Sequence, residues 1–122
     1  EAGRPTMTAF GTGRPTRDFV YAGDVAATIP WFLEHYDSSE PVNISAGRRI
    51  SIRELADTVK KATGFAGEIV WDSSKPDGQI DKIFDVRRLN ALGLSCDTTL
   101  EAGLQRTTAW FREARRTGAV RL

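Results

Sequence analysis

Apolar and polar positions alternate in short runs along this chain, and between those runs the spacing lengthens to a helical one. Residues 6–10 (Thr-Met-Thr-Ala-Phe) and 17–21 (Arg-Asp-Phe-Val-Tyr) read as strands, parted by the turn-rich stretch Gly11-Thr12-Gly13-Arg14-Pro15-Thr16. Val25, Ile29, Phe32, Leu33 and Tyr36 recur at helical spacing, which predicts a helix over 24–36 with Asp24 as its cap. Pro30 falls inside it. A mid-helix proline removes a donor and crowds the preceding turn, so a bend or break is expected near Ile29.

Residues 41–45 (Pro-Val-Asn-Ile-Ser) read as a further strand, with 46–49 as its exit loop. Ser51 followed three residues later by Glu54 matches a capping box. The apolar stripe Ile52, Leu55, Ala56, Val59 and Ala62 then predicts a helix, and Gly64 is placed to end it in the left-handed conformation. Short β-like runs at 68–72 and 82–85 flank a polar segment. Asp85 can cap a helix over 86–92 that Gly93 stops. Thr98-Thr99-Leu100-Glu101 suggests a second capping box, opening a last helix over 99–116. Leu100, Leu104, Trp110, Phe111 and Ala114 lie near one face of it, and Arg112, Arg115 and Arg116 fall where cations suit the helix dipole.

The mixture of short strands and helices makes the expected fold class α/β, and 122 residues suit one small domain, 1–122. An apolar content of 40% with 27% charged residues is that of a soluble, folded chain. A net charge of +1 argues against a dedicated nucleic-acid or membrane-surface role. Cys96 is the single cysteine, so no internal disulfide can form, which suits a reducing, cytoplasmic setting. No apolar run approaches membrane-spanning length, and the N-terminal residues lack a signal-peptide core.

Chemistry concentrates at 72–82, Asp-Ser-Ser-Lys-Pro-Asp-Gly-Gln-Ile-Asp-Lys, where carboxylates and lysines surround the turn Pro76-Asp77-Gly78. Gly11 and Gly13 suggest a dinucleotide-binding turn, but Thr16 stands where the third glycine belongs. The residues after Thr16 read as a strand, with no helix N-terminus for a pyrophosphate. No Tyr-x-x-x-Lys pair exists. Val25 lies four residues after Tyr21, and Glu40 four after Tyr36. His35 stands alone, without the cluster that a metal needs. Cys96 reads as a small hydrophobe in a loop, and the C-terminal arginines as a solvated helix end.

Four blocks in consistent order resemble the extended short-chain dehydrogenase/reductase superfamily, and within it the GDP-L-fucose synthase family of NAD-dependent epimerases/dehydratases. Residues 10–19, Phe-Gly-Thr-Gly-Arg-Pro-Thr-Arg-Asp-Phe, are similar to the pattern W-G-x-G-x-P-x-R-E-F, with Asp24-Val25-Ala26 coming after it. Asn43-Ile44-Ser45-Ala46-Gly47 and Ile52-Arg53-Glu54-Leu55-Ala56 are similar to N-V-G-T-G and I-R-E-L-A. Residues 72–89 resemble D-x-S-K-P-D-G-x-x-x-K-x-x-D-hydrophobic-x-R-L, the most specific of the four. Residues 100–111 resemble L-E-x-G-L-x-x-T-x-x-W-F.

This resemblance implies the C-terminal, substrate-binding part of an NADP-dependent epimerase/reductase, with the cofactor turn and the catalytic Ser/Tyr/Lys set outside these 122 residues. It implies that Arg17, Asp77 and Lys82 contact a nucleotide sugar such as a GDP-deoxyhexose, with Phe10 where the family has a tryptophan. Gly23 and Ala46 also depart from the family pattern. No catalytic, cofactor or metal residue is assigned within the chain. Two alternatives stand beside this: a remnant serving as an interaction or oligomerisation module, and part of another nucleotide-sugar epimerase or dehydratase. In the resembled enzymes the strand matching 41–45 joins a larger sheet that the helix matching 25–36 packs beside. A homodimer or swapped assembly over 22–47, with Pro30 as hinge, is therefore expected.

Overall fold

The computed structural model describes residues 5–120. Two small sheets and four helices make up these residues. In the first sheet, β1 (Thr6–Phe10) pairs in parallel with β4 (Glu68–Asp72), from Thr6 opposite Glu68 to Phe10 opposite Asp72. In the second, β2 (Thr16–Arg17) is central. It runs antiparallel to β3 (Ile50–Ser51) and parallel to β5 (Asp81–Lys82). The helices are α1 (Ala22–His35), α2 (Ile52–Thr63), α3 (Arg87–Ala91) and α4 (Leu100–Arg116).

Helix α2 keeps closely to its sequence signals. Ser51 Oγ accepts from the Glu54 amide at 3.0 Å, and Gly64 ends the helix at φ 72°. Its first free amides also find partners. Ile52 N donates to the Pro15 carbonyl and Arg53 N to the Gly13 carbonyl, both at 2.9 Å, so the start of α2 is stitched to the loop between β1 and β2. Helix α4 packs on α2, and Arg112 Nη2 reaches the Thr63 carbonyl at 2.8 Å.

Several expectations are corrected. Residues 41–45 form no strand, because no neighbouring strand offers them a ladder. The segment is pinned by side chains instead, with Asn43 Nδ2 on the Asp85 carbonyl and Arg88 Nη1 on the Pro41 carbonyl. The strand expected over 17–21 shortens to Thr16–Arg17, since Asp18 turns to accept from the Gly47 amide and Tyr21 begins a helix. The strand expected over 82–85 stops at Lys82, the last residue with a partner on β2.

Helix α1 starts at Ala22, and Tyr21 caps it without a side-chain bond; Asp24 sits in its first turn and reaches across to Thr98. The helix passes through Pro30 unbroken. The carbonyl that loses a donor there is that of Ala26, and both residues lie on the exposed side, open to solvent that can supply the missing bond. Thr99, not Thr98, caps α4, accepting from the Ala102 amide at 3.2 Å. Val86, not Asp85, caps α3, without a side-chain bond; Asp85, one residue earlier, accepts from the Arg87 amide through Oδ1 at 3.0 Å.

The most buried side chains are few: Leu89, Cys96 and Ala114 among apolar residues, with Thr28, Ser45 and Thr58. Burial raises the Cys96 thiol pKa, and the carboxylates of Asp24, Asp97 and Asp18 add to the rise, so it behaves as the expected small hydrophobe. His35 is exposed and stacks on Trp31 at 5.2 Å. Ala22, Ala26, Ile29, Pro30 and Leu33 form an exposed apolar stripe along α1, with Leu33 82% exposed. No helix among the described residues is long and apolar enough to cross a membrane.

Candidate functional site

Two stretches of chain run side by side in the same direction, residues 10–17 and 72–82. Phe10 lies opposite Asp72, the Gly11 amide donates to the Asp72 carbonyl at 2.9 Å, and the Thr16 amide donates to the Ile80 carbonyl at 2.8 Å. Thr16 then lies opposite Asp81 and Arg17 opposite Lys82. All four residues singled out from the sequence come from these two stretches. Arg17 sits beside Lys82, whereas Phe10 ends β1 opposite Asp72 and Asp77 stands against Gly11 and Thr12.

The segment after β4 folds by local chemistry. Asp72 Oδ1 accepts from the Ser74 amide at 3.1 Å and from its hydroxyl at 2.5 Å, an Asx turn that reverses the chain out of the strand. Gly78, at φ 71°, supplies the left-handed residue that lets the chain return toward β5.

Between them lies Asp77, and both its oxygens are engaged. Oδ1 accepts from the Thr12 amide at 2.6 Å and Oδ2 from the Thr12 hydroxyl at 2.7 Å. Gly11 is needed there, since it adopts φ 79° and a Cβ on it would collide with Asp77 Oδ1. The amide and hydroxyl of Thr12, with the charge of Arg14, hold the Asp77 pKa below the usual carboxylate value.

On the other side of the turn, the Arg53 guanidinium lies over the Trp71 ring at 4.6 Å, and its Nη2 donates to the Thr12 carbonyl at 2.7 Å. Thr12, Arg14, Arg53 and Trp71 were not singled out from the sequence. The glycines flanking Thr12 are the one signal that could have found them.

On the ribbon, Thr16 and Arg17 point to opposite faces. Thr16 donates to Asp81, which also takes the Arg49 side chain at 3.0 Å, and the pKa of Asp81 falls for the same reasons in that order. Arg17 shares the other face with Lys82. Its Nη1 donates to the Thr16 carbonyl at 2.7 Å, and among the described residues it has no ion-pair partner. Phe10 is 71% exposed and Lys82 is exposed.

Among the cavities that lie elsewhere are one of about 230 Å³ between residues 19–22 and α4 and an apolar one of about 450 Å³ between the first sheet and α2. Neither is lined by Phe10, Arg17, Asp77 or Lys82.

The turn at 11–13 does not fit a dinucleotide. It runs into β2 and not into a helix, its Gly11 and Thr12 amides are occupied, and a carboxylate stands against it where a pyrophosphate would have to lie.

Known proteins resemble this chain over most of its length. Residues 1–47 match the NAD dependent epimerase/dehydratase family. The chain is 43% identical over 105 residues to a GDP-L-fucose synthase of Sinorhizobium fredii, covering 86% of this chain and 33% of that protein. It is 38% identical over 107 residues to the probable GDP-L-fucose synthase 1 of Oryza sativa subsp. japonica, covering 88% of this chain and 33% of that protein. The crystal structure of a GDP-L-fucose synthetase from Naegleria fowleri bound to NADP superposes with a TM-score of 0.84 at 33% identity, over 92% of this chain and 36% of that one. The chain thus spans about a third of the length of the relatives it matches. By sequence and by fold, it corresponds to a part of an extended short-chain dehydrogenase/reductase of the NAD dependent epimerase/dehydratase family.

Proposed function

We infer that this chain is a nucleotide-sugar-binding domain, the substrate-binding part of a GDP-L-fucose synthase-like NADP-dependent epimerase/reductase. It takes a GDP-deoxyhexose through Phe10, Arg17, Asp77 and Lys82. The observation that carries this reading is the register of β2 and β5, which sets Arg17 beside Lys82 on one face. A diphosphate presents several anionic oxygens. The guanidinium fork can take two of them at once, and the ammonium adds a mobile point charge. The exposed ring of Phe10 offers a flat apolar face to a base or to the carbon face of a sugar. Asp77 can accept from ligand hydroxyls or base N–H groups. The names of the relatives supply the guanine nucleotide and the deoxysugar.

NADP, bound in the Naegleria fowleri enzyme, supplies hydride chemistry to such a protein, and the turn at 11–13 is unsuited to hold it. The residues of this chain bind and orient the substrate. Amide shifts on adding GDP, weakened by Arg17→Ala and larger than those with ATP, test the reading.

A second reading rests on α1. Its exposed stripe of Ala22, Ala26, Ile29, Pro30 and Leu33 favours a homodimer built on this helix. The continuity of α1 through Pro30 favours side-by-side packing over a swap hinged there. Sedimentation equilibrium across a wide concentration range tests it.

A further inference from the structure

Every polar group of Thr12 is engaged by a side chain or by the start of the next segment. Its amide and hydroxyl donate to the two oxygens of Asp77, at 2.6 and 2.7 Å. Its hydroxyl accepts from the Arg14 amide and from Arg14 Nε, at 3.2 and 3.3 Å. Its carbonyl accepts from Arg53 Nη2 at 2.7 Å. One residue thus ties together the 73–80 loop, the start of α2 and the run toward β2.

We propose that Thr12 is a positioning residue for the nucleotide-sugar site, orienting the Asp77 carboxylate toward the ligand and fixing the turn between Phe10 and Arg17. The inference rests on the nucleotide-sugar reading of this surface. Asp77 lies in a segment with neither helix nor strand, and its immediate neighbours Pro76 and Gly78 are exposed. Nothing in that segment's own backbone would aim a carboxylate. Thr12 aims it from outside, and it uses one acceptor position on each oxygen. An ionised carboxylate has about four such positions, so each oxygen keeps one for a ligand donor.

The threonine hydroxyl also holds the Arg14 side chain, whose charge adds to the two hydrogen bonds from Thr12 in lowering the Asp77 pKa. The turn itself is built to hold this one arrangement. Gly11 and Gly13 both take positive φ, and a Cβ on Gly13 would stand 2.7 Å from the Trp71 ring. A site held by such contacts loses little freedom when its ligand arrives.

The test uses the 122-residue chain, GDP-L-fucose as the probe, and the variants Thr12→Val, Thr12→Ser, Asp77→Ala and the double variant Thr12→Val with Asp77→Ala. Thr12→Val keeps the shape and removes the hydroxyl. It is expected to weaken binding about tenfold, the cost of one hydrogen bond to a charged group. Thr12→Ser restores it, and the double variant binds no more weakly than Asp77→Ala alone.

The Asp77 carboxyl, tracked by carbon NMR without ligand, should titrate at higher pH in Thr12→Val than in the wild type, a readout that general loosening of the fold does not move selectively. Wild-type affinity in Thr12→Val, or a loss that adds fully to that of Asp77→Ala, overturns the proposal. A wild-type chain that ignores GDP-L-fucose overturns the nucleotide-sugar reading instead, and the carboxyl titration then shows whether the clasp itself stands.

Discussion

The carboxylate of Asp24 accepts two hydrogen bonds from one residue, the Thr98 amide at 2.8 Å and the Thr98 hydroxyl at 2.6 Å. That pair joins the first turn of α1 to the residue before the cap of α4, and Arg48 Nη2 holds the Thr98 carbonyl from the other side at 2.5 Å. Removing it by Asp24→Ala should cost about 1–2 kcal/mol at neutral pH, read by urea unfolding. The Thr98 hydroxyl is the main reason that the Asp24 pKa lies below 3.8 in the folded chain. A carboxyl lowered by folding contributes stability that is fully present above its unfolded pKa and lost as pH falls through the folded value. The gap between wild type and Asp24→Asn should therefore hold constant above pH 3.8 and narrow below it. A gap that ignores pH would remove Asp24 from this role.

Arg17→Ala should weaken the response to GDP by about tenfold or more, because it removes the fork from a charged contact. Lys82→Ala should cost less, since an exposed ammonium is well screened. Both losses should shrink as salt is raised. Amide-shift titrations with GDP and ATP provide the measurement. Equal responses to the two nucleotides would reduce the site to general phosphate attraction.

Leu33→Asp should abolish self-association without unfolding the chain, because Leu33 is 82% exposed and its carboxylate replacement meets water in the monomer. Sedimentation equilibrium of both proteins at high micromolar concentration decides. A wild-type chain that stays monomeric there would end the dimer reading.

Leu89 is fully buried, and Leu89→Ala should destabilise the fold by about 2–5 kcal/mol through lost burial and the cavity left behind. Gly13→Ala should cost about 1–3 kcal/mol for a different reason, its φ of 75° together with the approach to Trp71. Chemical unfolding of the two variants compares them. A Gly13→Ala chain as stable as wild type would mean that the turn is free to rearrange.

What the sequence made legible was local. Ser51 and Gly64 bound α2 because capping needs only the residues at hand, and Pro76 and Gly78 announced a turn for the same reason. Arg17 and Asp77 were chosen as candidates through the order of the motif blocks, before any geometry was known. What stayed hidden depended on distant partners. Residues 41–45 have the alternation of a strand and no neighbour to pair with. Asp24 has the chemistry of a cap and spends it on Thr98. Thr12 is an ordinary residue in a glycine-rich loop until Asp77 and Arg53 arrive from far along the chain.

The two parallel pairings, Thr6 with Glu68 and Thr16 with Asp81, also set the order in which the molecule can be made. β1 meets its partner only once synthesis has passed Asp72, and β2 meets β5 only once it has passed Lys82. Closing loops that long comes before any contact rewards it. The β2–β3 ladder and α2 can form while the chain is still growing, and the β1–β4 pair and the surface bearing Arg17 beside Lys82 must come afterwards. Met7 and Val70 remain open to a wrong neighbour through that interval, so slowing the late step at fixed stability should raise the yield of aggregate in refolding.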